Sequence, residues 1–302
     1  MTVDWEPATD VAAWLVPVAE RLVAQRAAHV PVAEAAASVG RMVARLLPGG
    51  VPTPGQHLLT ARVAGAVVGS AWLQVRDGAA FLYDVAGEVP LLPAVHRRAA
   101  ELGAGTVRLT AYERDRAMWR QLDGQGYRVA SSQLRFDVAA GTGTGARTEL
   151  RDMTDEQWAR FRAAQERDYA ADLLRSGHCD TASEAAERSA VELAELLPNG
   201  RHSPGQYFQT AYAGGEQIGL LWYGVEPDQA FVLELLVHPP YRRRGYAAGM
   251  LRALHDRCRY AGLPAVGLSV FGFNHGARAL YDSLGYRPTH HVLYRRLDDV
   301  RA

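Results

Sequence analysis

Apolar positions along the second half of the chain first recur at helical spacing and then alternate. Thr154 is a plausible cap for a helix running to about residue 176, where Gly177 stops it, and a second helix is predicted from about 181 to 197, before Pro198. Alternation then takes over. Residues 207–213, a Gly214-Gly215 turn, residues 217–225, a Pro227-Asp228 turn and residues 230–237 read as three antiparallel strands. A helix over about 245–260, a β-rich run over 266–271, a short helix from 274 to about 283 and a last strand near 291–296 follow. The predicted class is α/β, a central mixed sheet flanked by helices.

The first half repeats this plan. Leu46-Leu47-Pro48-Gly49-Gly50 and Pro54-Gly55-Gln56 return as Leu196-Leu197-Pro198-Asn199-Gly200 and Pro204-Gly205-Gln206, an offset of 150 (196 minus 46). The same offset carries Gly69 and Trp72 onto Gly219 and Trp222. Farther on, Gly126-Tyr127-Arg128 answers Gly285-Tyr286-Arg287 at an offset of 159 (285 minus 126), so the first copy lacks nine residues, near 86–91. A period this long means duplicated domains rather than a solenoid. Residues 139–147, rich in Gly, Thr and Ala, read as a linker, with domains expected over 1–138 and 148–302.

Composition narrows the chemistry. The chain has 302 residues and 33 basic residues against 33 acidic, a formal net charge of +0. Such a balance excludes bulk electrostatic binding of nucleic acid or of an anionic membrane. Every basic residue is arginine; with no lysine in the chain, a lysine nucleophile, a Schiff base and a Walker lysine are excluded. Cys179 and Cys258 stand too far apart for a CxxC site, and His178-Cys179 has no further ligands at coordinating spacing, so no metal is expected. The acidic, polar start and the lack of any long apolar run lead us to expect a cytoplasmic protein.

The segment Leu235-Leu236-Val237-His238-Pro239-Pro240-Tyr241-Arg242-Arg243-Arg244-Gly245-Tyr246-Ala247-Ala248 reads as strand, turn and helix. Unpaired N–H groups at such a helix start, with the helix dipole, suit a diphosphate; Gly245 and Ala247 allow close approach, and Arg242, Arg243 and Arg244 add charge. Arg242, Gly245 and Ala247 also fit the acyl-CoA signature of the GCN5-related N-acetyltransferase (GNAT) family. Gln121-Leu122-Asp123-Gly124-Gln125-Gly126 fits the same string but follows a helix instead of opening one. The context at 242–247 carries the resemblance, because Asn274, Ala277, Leu280-Tyr281 and Gly285-Tyr286 follow as in the family's second half. Residues 148–297 therefore resemble this family. In the first copy Gly87-Glu88-Val89-Pro90 replaces the turn, Asp115 stands for Asn274 and Leu122 for Tyr281, which marks it as a degenerate copy serving as a scaffold or pocket wall.

The resemblance implies an N-acyltransferase that binds acetyl-CoA or another acyl-CoA and passes the acyl group directly to an amine of a small molecule or peptide. Its pantetheine arm would lie between Leu235-Leu236-Val237 and the 266–271 run, with Asn274 contacting it or capping the next helix. Tyr281 would protonate the departing thiolate, Glu234 would deprotonate the amine, and an N–H near Leu236 or Val237 would stabilise the oxyanion. His238 and His275 are alternative bases; Tyr169, Asp172, Tyr207 and Tyr223 are expected on the acceptor wall. A non-catalytic CoA-binding protein and an enzyme using a carrier-protein thioester stay open as alternatives, as do a monomer and a homodimer.

Overall fold

The computed structural model describes residues 2–139 and 148–297, so all but the first residue of the expected linker lies outside the described residues. The first copy runs β1 (Asp4–Pro7), α1 (Val11–Ala27), α2 (Val32–Leu46), β2 (Gln56–Val63), β3 (Ala66–Arg76), β4 (Ala79–Gly87), α3 (Leu92–Glu101), β5 (Thr106–Tyr112), α4 (Arg116–Leu122) and β6 (Arg128–Asp137). The second runs β7 (Glu149–Asp152), α5 (Asp155–Ser176), α6 (Ala182–Leu196), β8 (Gln206–Ala213), β9 (Glu216–Glu226), β10 (Gln229–Val237), α7 (Tyr246–Ala261), β11 (Ala265–Phe271), α8 (His275–Ser283) and β12 (Arg287–Arg296). Thr154 caps α5 in a full capping box with Gln157, and Gly177 ends it in the left-handed conformation.

The chain divides into two compact units whose limits differ from those expected. Unit 1 is Met1–Val129 with Thr289–Ala302, and unit 2 is Ala130–Pro288. The two copies have exchanged their last strands. β6, from the first copy, pairs antiparallel with the whole of β11, from Ala265 opposite Asp137 to Phe271 opposite Ser131. β12, from the second, pairs with β5 from His290 opposite Tyr112 to Arg296 opposite Thr106. The expected boundaries at 138 and 148 follow the repeat, whereas compactness follows the pairing.

Each unit has three layers. In unit 2 one face of the sheet packs on α7 and α8 through Met250, Leu251, Leu254, Cys258 and Tyr281. The other packs on α5 and α6 through Phe161, Leu193, Phe208 and Trp222. Unit 1 repeats this with Val95, Ala99, Met118 and Leu122 on one face and Val18, Leu22, Val39 and Trp72 on the other. Polar details repeat as well. The indole of Trp72 donates to Gln56 and that of Trp222 to Gln206, each at 2.7 Å. His96 meets the Tyr127 hydroxyl at 2.9 Å, and His255 meets that of Tyr286 at 2.8 Å.

Candidate active site

In unit 2, β10 and β11 are parallel neighbours over a short stretch, Ala230 to Val232 against Val266 to Leu268. Beyond Val232, β10 stays paired with β9 on its other side as far as Val237, and no register with β11 continues. The strands therefore splay, leaving a gap flanked by Leu235, Leu236 and Val237. A β-bulge between Val232 and Glu234 marks where the splay begins; such a bulge re-aims the side chains beside it.

At the end of β10 the chain turns into α7. Arg243 and Gly245 take positive φ, 63° and 82°, and Gly245 caps the helix without any side-chain hydrogen bond. Its place is open: an added Cβ would meet nothing within 4 Å. The first N–H groups of α7, from Tyr246, Ala247 and Ala248 onward, thus face a turn built from exposed Arg242, Arg243 and Arg244. Arg242 also braces the turn, donating from Nε to the Val237 carbonyl at 3.0 Å. One turn into α7, Gly249 admits the chain at Thr148, whose Oγ1 would clash with a Cβ there. The residues present fit a diphosphate followed by an extended arm: donors without partners, a cationic rim and a strand gap.

Glu234 is half-buried and opens onto a cavity of about 720 Å³ that also touches Leu236, His238, Phe231 and Phe271. Burial pushes its carboxyl up to about 7, against a hydrogen bond from Gln165 that favours the ionised form; Asp172 and Asp168 push it further up. Tyr281 lies on α8, buried in the core, with its ring 5.6 Å from that of Tyr286. Burial and the nearby charge of Glu234 raise its phenol to about 12. Tyr281 does not line the cavity. Exposed Asn274 caps α8, its Oδ1 accepting from the Ala277 N–H at 3.1 Å, and His275 beside it is exposed.

Of the four residues expected on the acceptor wall, Tyr169 and Asp172 line the cavity. Tyr207 and Tyr223 do not: they stack on each other across β8 and β9, with ring centroids 5.1 Å apart. Ser131 of β6 does line it, brought there by the strand exchange and bonded to His178 at 3.1 Å. Gln165, Asp168 and Ser131 carry no motif in the sequence; only the fold brings them together. Among the described residues no cluster of His, Cys, Asp and Glu is arranged to hold a metal, and no helix is long and apolar enough to cross a membrane.

Unit 1 fills the same places. Asp84, which stands where Glu234 stands, is clamped by Arg21 (Nη2 to Oδ2, 2.6 Å). Arg21 lies eleven residues past its helix cap (21 minus 10), as Gln165 does (165 minus 154), so a neutral amide replaces a cation in unit 2. His290 and Tyr112, at the places of Ser131 and Phe271, pack together at 5.3 Å, with His29 stacked on Tyr112. At the start of α3, the Leu91 N–H is already taken by Gln121 Oε1 at 3.1 Å, and the Leu91 side chain is fully buried.

A splayed pair of parallel strands, an open helix start after the first of them and a three-layer mixed sheet define an acyltransferase fold of the N-acetyltransferase type. Residues 152–286 match the model of the acetyltransferase (GNAT) family, and the chain belongs to that family. It is 32% identical over 153 residues to the uncharacterized N-acetyltransferase YdgE of Bacillus subtilis (strain 168), covering 97% of that protein and 49% of this chain. A second protein of that organism, the uncharacterized N-acetyltransferase YycN, is 29% identical over the same share of each. Along 98% of its length the chain also superposes on 96% of a GCN5-related N-acetyltransferase from Sphaerobacter thermophilus, with a TM-score of 0.57 at 15% identity, a likeness of fold. The protein is an N-acetyltransferase enzyme built from two GNAT-like copies, of a family that uses acetyl-CoA or acyl-CoA.

Proposed function

We propose that unit 2 alone is catalytic, that it binds acyl-CoA with its diphosphate at the Arg242–Ala248 turn and its arm between β10 and β11, and that it acylates an amine held in the cavity. The observation that carries this reading is the coincidence at one strand end of the open helix start, the splay and Glu234 facing the cavity. The bound acyl-CoA supplies an acyl thioester; the chain supplies position and proton transfer. Arg242, Arg243 and Arg244 hold the phosphates with the N–H groups of Gly245, Tyr246, Ala247 and Ala248, and Asn274 fixes α8 beside the arm. Binding donor and acceptor in one cleft removes most of the entropic cost of their encounter.

Glu234, poised near neutrality, accepts one proton from the incoming ammonium. The freed nitrogen lone pair forms the C–N bond as the C–S bond breaks, and an N–H of Leu236 or Val237 faces the charge that develops on the carbonyl oxygen. Tyr281, held protonated by its raised pKa, gives its proton to the departing sulfur and regains one from the nitrogen. The products are an amide and the free thiol, with one net proton released. Thiol release from acetyl-CoA with a panel of amines tests this: Tyr281→Phe should lower kcat by about a hundredfold, and an unchanged rate would remove Tyr281 from the reaction.

A further inference from the structure

The cavity carries a charge imbalance that its own side chains leave unresolved. Asp168, Asp172, Glu192 and Glu234 line it, against two guanidiniums, those of Arg160 and Arg188. Arg188 pairs with Glu192 on the same wall at 2.7 Å, and Arg160 makes an exposed pair with Glu156 at 2.9 Å, so two acids remain in excess. The other oxygen of Glu192 accepts from the Tyr169 hydroxyl at 2.6 Å. Among the described residues Asp168 has only an exposed pairing with its neighbour Arg167 at 3.3 Å, a kind worth little. Asp172, half-buried, makes no hydrogen bond or ion pair among the described residues; the charge of Arg175 reaches it, but that guanidinium lies over the Phe273 ring at 4.1 Å.

Asp168 and Asp172 stand four residues apart on one face of α5, the face that carries Gln165 and so reaches Glu234. Both carboxylates act electrostatically on Glu234, so three acids sense one another around one space. Aromatic side chains, including Phe231, Phe271 and Trp222, line that space alongside them. In unit 1 the residues equally far from the helix cap are Ala24 and Ala28, so this pair of acids belongs only to the unit that has the cavity. One ammonium at Glu234 leaves Asp172 uncompensated; a second, joined to it by an apolar spacer, completes the pairing and suits the aromatic wall.

We propose that the acceptor is a small aliphatic diamine, its reacting nitrogen at Glu234, its second ammonium against Asp172 with Asp168 nearby, and its methylenes along the aromatic wall. This rests on the reading of unit 2 as the acyl-transferring unit. Acylation consumes one ammonium and leaves the other, so the product is a monoacylated diamine.

The test compares putrescine, cadaverine and hexamethylenediamine with n-hexylamine and ε-aminocaproate, by thiol release from acetyl-CoA and by calorimetric binding without acyl donor. The best diamine should exceed n-hexylamine by at least about tenfold in kcat/KM and in affinity, with ε-aminocaproate poorest, because a charged partner left unpaired rejects the analogue. Asp172→Asn should bring the diamine down towards n-hexylamine, mainly through KM, and Asp168→Asn should do so more weakly. Turnover in which n-hexylamine or ε-aminocaproate equals the diamines, or a preference untouched by Asp172→Asn, would overturn the diamine site alone. Diamine binding that Asp172→Asn weakens, without thiol release from any amine, would instead overturn the activity reading and leave the binding site standing.

Discussion

At the scale of single residues the contrast between Glu234 and Asp84 is the most telling. Both acids sit just past a bulge in equivalent strands, yet one is held by an amide and the other by a guanidinium. A carboxyl raised to about 7 is a base only once it is ionised, so kcat/KM should rise with pH through about 7 and level off above it. Glu234→Gln should lower kcat/KM and flatten that limb in a pH–rate profile; an unshifted limb would assign it to another group. The same shift has a stability consequence. Because the folded-state value lies above the ordinary carboxyl value of 4.5, its cost is absent below about pH 4.5, grows as pH rises towards 7 and is complete above that. Glu234→Gln should therefore raise stability at pH 8 by roughly 1–2 kcal/mol and do much less at pH 4, measured by urea unfolding. Glu234 was legible in the sequence because a strand-end motif surrounds it. Gln165 and Asp168 were not, since their helix gives no sign of which face meets the strand.

Among the elements, those fixed by local rules matched the pattern of the sequence within a residue or two. The capping box at Thr154, the left-handed Gly177 and the alternation through β8, β9 and β10 are all short-range signals. The four-residue strands β1 and β7 are too short to show a period in the sequence. The turn before α7 was legible too, and its conformation makes a clear prediction. Gly245 takes a φ of 82° in open space, so Gly245→Val adds backbone strain of about 1–2 kcal/mol and a side chain where the diphosphate is proposed to lie. Acetyl-CoA binding measured by calorimetry should weaken at least about tenfold, while far-ultraviolet circular dichroism stays that of the parent; equal affinity would place the phosphates elsewhere.

For the molecule as a whole the exchanged strands matter most, and the sequence hid them. β6 and β12 are equivalent strands of a duplicated chain, so alternation cannot say which sheet each joins; that depends on the path of the chain. The consequence is that the unit carrying the family match is not contained in the second half. Phe136, from the first copy, stacks on His255 at 4.0 Å and packs against Tyr286 within the core of unit 2. Phe136→Ala should cost about 3 kcal/mol in the unfolding of unit 2. Residues 148–302 expressed alone should leave β11 as an unpaired edge and aggregate, which size-exclusion chromatography would reveal; a soluble, cooperatively folding fragment would show that the strand is dispensable.

If unit 2 alone binds the donor, calorimetric titration of the full chain with acetyl-CoA should give one molecule bound per chain, and none in a variant in which the Arg242–Ala247 turn is deleted. Two molecules per chain, or stoichiometric binding that survives loss of the turn, would mean that donor binding is not confined to that turn.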